Sequence, residues 1–141
     1  MQIAEFEKMY VIKISAGEKL MESIFKFMNE KNIQSGSING IGALENTKIG
    51  YFDRDQKKYL YKVVEPCCEL VSLTGNLAWA DDGKPIAHVH VALGLPDYSV
   101  VGGHLVEGTV GVVGEMIVIP NEEKIIRKRD DGFGLQFMDL G

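Results

Sequence analysis

The stretch Gly17-Glu18-Lys19-Leu20-Met21-Glu22-Ser23-Ile24-Phe25-Lys26-Phe27-Met28-Asn29-Glu30-Lys31 is the one long run of this chain with helical periodicity. Its isolation decides the fold class. Leu20, Met21, Ile24, Phe25 and Met28 recur at the three-and-four spacing that gives a helix one apolar face. Ser15 and Glu18 stand ahead of them at capping-box spacing, a hydroxyl at the helix start and a glutamate three residues on. Asn29 to Asn32 closes the pattern with polar residues. The spacing predicts a helix from about Gly17 to Lys31.

Outward from it, everything reads as strands. Met9–Ile14 precedes the helix as a short β-rich run. Ser35–Gly42 is punctuated by glycine, and Thr47–Asp53 alternates up to the charged turn Asp53-Arg54-Asp55-Gln56. Lys58–Val64 alternates in the opposite sense, which predicts a hairpin with the strand before it. Cys68–Trp79, Ile86–Leu93, Val100–Leu105, Thr109–Ile119 and Ile125–Arg129 follow. Asp97 and Tyr98 read as turn residues. One helix among this many strands predicts an α+β fold with a largely antiparallel sheet of about seven strands. Trp79 and the apolar strands are assigned to the core, or to a subunit interface if the chain is an oligomer.

The chain has 141 residues and a net charge of −5, with 20 acidic against 15 basic residues. That length suits one domain, residues 1–141, and a chain of this size needs no disulfides to fold. Binding nucleic acid takes a basic surface, because affinity comes largely from released counterions. The most basic stretch, Ile125-Ile126-Arg127-Lys128-Arg129, is matched by Glu122, Glu123, Asp130 and Asp131 around it. It reads as a solvated charged strand. Charges near the N-terminus break up any signal-peptide core, and no apolar run reaches the roughly 18 residues of a spanning helix. Cys67 and Cys68 are neighbours whose side chains leave a strand on opposite faces, a poor disulfide or metal pair. A soluble, cytoplasmic protein is expected.

All three histidines fall in a short window: His88, His90 and His104. His88 and His90 are two apart on a strand and leave the same face. His104 follows Gly102-Gly103 on the next strand, and an antiparallel neighbour brings its ring to the same place. Three imidazoles on one face match a three-histidine metal site with a fourth position open to water. The competing reading is histidines on half-buried strands, satisfied by ordinary hydrogen bonds. Zinc suits the donor set, and imidazole also suits iron, nickel, cobalt and copper. Glu115, in the apolar run Val110–Ile117, is the candidate partner: a structural or supporting carboxylate, a ligand, or an acid/base. Glu107 is placed in an exposed turn. Ser35–Gly42 is glycine-rich, but it lacks the phosphate-loop pattern and precedes no helix.

These residues resemble a known family. Pro85-x-x-His88-Val89-His90-Val91-x-Leu93, then Val101-Gly102-Gly103-His104-Leu105-x-x-Gly108-x-Val110, then Glu115 look like the signature of the plants and prokaryotes conserved (PPC) domain. Glu69–Asn76 is similar to another family segment, and Ile41-Gly42-Ala43 with Ile49–Asp53 to an earlier block. The resemblance spans about residues 8–135. It implies an antiparallel sheet with one principal helix, assembled as a homotrimer, and a divalent metal at His88, His90 and His104. Plant members join this domain to AT-hooks with an Arg-Gly-Arg core, and this sequence contains no Arg-Gly-Arg. The resemblance therefore leaves two expectations. One is a metal-binding trimer, a metal-dependent enzyme on a small molecule. The other is a regulatory or DNA-associated scaffold that acts through trimerisation and a protein partner.

Overall fold

The computed structural model describes residues 1–141. In chain order it comprises β1 (Gln2–Phe6), β2 (Met9–Ser15), α1 (Leu20–Glu30), β3 (Ser35–Asp53), β4 (Lys58–Val64), β5 (Cys68–Ala80), β6 (Pro85–Gly94), β7 (Val100–Asn121), β8 (Ile126–Arg129) and β9 (Gln136–Asp139). The α+β class and the single helix stand as expected, and nine strands replace the expected seven. β1 and β9 carry no clear alternation, and they form by pairing, β1 with Met9–Lys13 of β2 and β9 with the whole of β8. Two expected breaks disappear: Ser35–Asp53 and Val100–Asn121 each run as one long strand. Bulges take up the irregular residues, with register shifts at Gly42/Leu44 and Glu45/Lys48 and Asn46 at φ 49°.

All nine strands belong to one sheet, ordered β1-β2-β7-β3-β5-β8-β9, with β4 on β3 and β6 between β5 and β7. Every pairing is antiparallel except the short β5–β8 contact at Trp79–Ile126 and Ala80–Arg127. β3, β5, β6 and β7 pair in a closed circuit. Helix α1 packs Leu20, Ile24, Phe27 and Met28 into the core, lying against β6 and β7. No helix is long and apolar enough to cross a membrane.

The helix starts later than the capping box predicts. Ser15 and Glu18 form a tight turn, in which the Ser15 amide donates to Glu18 Oε2 at 2.8 Å. The residue before the helix is Lys19, which has no capping side chain. Glu107 of β7 supplies the cap instead. Its carboxylate accepts from the amides of Met21 (2.9 Å), Glu22 (3.3 Å) and Gly108 (2.8 Å). Glu107 is thus half-buried inside a strand, not in an exposed turn, and its negative charge meets the positive end of the helix. At the other end Asn32 takes φ 51°, with Ile33 N–H donating to Met28 C=O and Asn32 N–H to Asn29 C=O. This is a Schellman closure with asparagine in the left-handed position.

Candidate metal centre

Along β6, Ala87, Val89, Val91 and Leu93 point into the core, so the alternate residues His88 and His90 leave from the opposite face. On β7, Leu105 points inward and His104 outward. The β6–β7 register sets His90 directly opposite His104. The ligating nitrogens of His88, His90 and His104 all lie within 4.8 Å of one another. Their ring centroids are 5.2 to 5.6 Å apart.

A glycine makes this cluster tight. Gly50 lies opposite His104 on β3, where a Cβ would meet Tyr59 Cδ1 at 2.9 Å. Without it, the Tyr59 ring settles 5.2 Å from the His104 ring and walls the cluster on that side. The hairpin of β8 and β9 covers the other side. Tyr59, Ile86, His88, His104, Arg127, Gln136 and Phe137 are among the residues lining a pocket of about 260 Å³.

Burial sets the charge state. His104 is depressed from the usual 6.5 to about 4, by burial first and then by the neighbouring His88 and His90. His88 is also lowered, by burial, by the Arg127 guanidinium and by His90. His88 and His104 are therefore held neutral at pH 7, the state in which imidazole binds a metal. His104 Nδ1 is buried and has no hydrogen-bond partner in the chain. A buried polar atom without a partner is costly. Nitrogens bound to one ion at about 2.0–2.1 Å stand within about 4 Å of one another, so small ring rotations bring this set to bonding distance. The residues fit a divalent metal with nitrogen preference.

Glu115 is placed elsewhere. It lies eleven positions beyond His104 on β7, opposite Lys13 and Ile41, and its side chain is exposed. At about 3.3 Å per residue the separation along the strand is roughly 35 Å. Within the chain it is neither a ligand nor an acid/base for the cluster. Its apolar neighbours in sequence alternate inward, which explains how a charged residue sits in so apolar a run.

Arg127 is the residue that sequence reasoning missed. The charged segment around it reads as solvated, but Arg127 is only 5% exposed. It donates from Nη1 to the Gln136 carbonyl (2.7 Å) and from Nη2 to Asn76 Oδ1 (2.7 Å) and His88 Nδ1 (3.3 Å). A guanidinium has no acceptor, so His88 Nδ1 accepts and the ring proton sits on Nε2. The one signal was the parity of β8: Arg127 and Lys128 leave the strand on opposite faces, which does not say which of them turns inward.

The Plants and Prokaryotes Conserved (PCC) domain model matches residues 1–122, which include all three histidines. Arg127, Gln136 and Phe137 lie beyond the match. Among solved structures, the chain is similar to a candidate DNA-binding protein from Bacteroides thetaiotaomicron (30% identity, TM-score 0.94, covering 99% of this chain and 96% of that one). It is similar to a plant- and prokaryote-conserved protein from Pyrococcus horikoshii (36% identity, TM-score 0.85, 99% and 95%). It is also similar to a metal-containing protein from Archaeoglobus fulgidus (34% identity, TM-score 0.85, 98% and 99%). No match is found among curated proteins.

Proposed function

The chain belongs to the Plants and Prokaryotes Conserved domain family, and on that premise we propose that it is a metal-binding homotrimer whose three-histidine centre serves a metal-dependent reaction on a small molecule. The observation that carries the reading is the convergence of three imidazoles, one with a buried unpartnered nitrogen. The similarity to a metal-containing protein of nearly equal length supports it. His88, His90 and His104 would hold the ion, with zinc as the expected metal. Three protein ligands leave a coordination position open, and zinc in such a site activates water and polarises substrate oxygens. The chain's own residues supply the rest. Tyr59 and Phe137 wall the pocket, and Arg127 sets its guanidinium beside His88.

The trimer reading is supported by an outer sheet face with exposed Ile41, Val71, Val112, Ile117 and Ile119. Residues of β2, β3, β5 and β7 line two adjoining troughs there, with Ile41 and Glu115 in both. Contiguous apolar surface of this kind marks an interface.

A second reading, a regulatory or DNA-associated scaffold, is favoured by the similarity to the Bacteroides candidate DNA-binding protein. The net charge of −5 weighs against direct contact with duplex. A mobility shift at low salt that disappears as salt rises would support it.

The test of the first reading is elemental analysis of untagged protein, wild type beside His90→Ala. About one metal per chain in wild type, lost in the variant, is expected. No metal in either after reconstitution would refute the metal centre.

A further inference from the structure

Arg127 is buried as a cation without an anion. No carboxylate lies within 4.0 Å of it, since none of the chain's ion pairs includes it. Its three hydrogen bonds go to neutral acceptors, and its buried Nε–H has none. Buried charges are otherwise paired, because leaving a cation uncompensated in a low dielectric is costly. The same side chain lines the 260 Å³ pocket together with His88, His104, Tyr59 and Phe137. The pocket thus offers a fixed positive charge, spare N–H donors and aromatic walls.

From these we infer that the pocket takes a small organic oxyanion, a carboxylate, held by the Arg127 guanidinium beside the three histidines. Arginine's planar fork matches a carboxylate, and the aromatic and aliphatic walls favour an organic ligand over a bare inorganic ion. The inference rests on the metal reading in one respect. A neutral His88 that ligates through Nε2 carries its proton on Nδ1, and one that ligates through Nδ1 has that nitrogen occupied. Either way it stops accepting from Arg127, and an Nη2 donor is released. Metal loading therefore strengthens anion binding.

The experiment is calorimetric titration of untagged protein with malonate, inorganic phosphate and uncharged malonamide. Metal-loaded and metal-stripped samples are compared, with metal content measured on each. The metal-loaded protein is expected to bind malonate and not malonamide, at least tenfold more tightly than the stripped protein. Arg127→Gln should weaken binding at least tenfold at unchanged metal content, and Arg127→Lys should restore part of it. Binding of phosphate alone supports the oxyanion pocket and changes the ligand class to a phosphate ester. Equal malonate binding by folded, metal-loaded Arg127→Gln overturns the proposal, because the anion then sits on the metal alone. Absence of malonate and phosphate binding to metal-loaded protein overturns it and leaves the metal reading intact. Arg127-dependent binding in a protein that takes up no metal supports the pocket while refuting the metal centre. If Arg127→Gln does not fold, the Arg127 Nε–H resonance of wild type decides. A shift on saturation with malonate supports the proposal, and an unmoved resonance overturns it.

Discussion

His90 and His104 are direct partners across the β6–β7 ladder, with ring centroids 5.6 Å apart at nearly perpendicular planes. This pairing depends on Gly103, whose Cβ, if present, would meet the Gly50 carbonyl oxygen at 2.7 Å. The contact is backbone, so it cannot swing aside. Gly103→Ala should push β7 from β3 and carry His104 with it. Overpacking of this kind costs about 1–3 kcal/mol, or roughly 3–10 °C in melting temperature for a chain of this size. Metal content should fall in the same variant. Gly114→Ala, where a Cβ makes only contacts of 3.4 Å and longer with side chains, should change neither. Melting curves and elemental analysis of the two variants check the contrast.

The histidines make the metal-free protein acid-sensitive in a defined window. Below the usual 6.5 the unfolded chain protonates His104, while the folded chain resists until about 4. The unfolded state thus binds more protons between these values, and stability falls as pH drops through them. His88, also lowered, contributes in the same direction. The depressed carboxylates Glu18, Asp82, Asp97 and Asp139 act at the acid edge of that window and below it, since their ordinary values are 4.5 for Glu18 and 3.8 for the aspartates. Urea midpoints of metal-free protein should decline from pH 6.5 to 4, and His104→Gln should flatten the decline. An unchanged slope in the variant would remove His104 from the account.

Glu107 ties the helix to the sheet that carries His104. Glu107→Ala strips the Met21, Glu22 and Gly108 amides of their acceptor. Loss of a helix cap costs about 0.5–2 kcal/mol, and melting should fall by roughly 2–8 °C. Metal content should stay at the wild-type level, because the cap and the histidines lie on different faces of β7. A melt within 1 °C of wild type would show that water replaces the carboxylate at no cost.

These results mark what a single sequence carries. His88 and His90 were legible because a two-residue spacing has only one meaning on a strand. His104 was legible because a glycine pair preceded it. Glu107 and Arg127 were not legible, since both act across long sequence distances: Glu107 on an amide 86 residues away, Arg127 on a histidine 39 residues away. Charge alone suggests solvent for both, and only the topology turns them inward. The long strands were hidden for the reverse reason. Bulges at Gly42 and Asn46 look like ends of strands in sequence, although the pairing continues through them.

Glu115 gains a different meaning from its position. It stands between the two apolar troughs of the outer face, with Ile41 as its register partner on β3. Ile41 is 57% exposed, which a chain on its own has no reason to maintain among Val112, Ile117 and Ile119. If this face is the trimer contact, an aspartate at position 41 is desolvated directly opposite Glu115, a like charge. Ile41→Asp should then convert the trimer to monomer, read as a threefold loss of mass by light scattering at micromolar concentration. Lys58→Gln, on the exposed β3–β4 hairpin, alters the net charge by the same −1 and should leave the mass unchanged. A trimer that survives Ile41→Asp would move the interface to another face. A wild-type monomer would refute the assembly itself, and the three histidines would then have to complete any metal site from one chain.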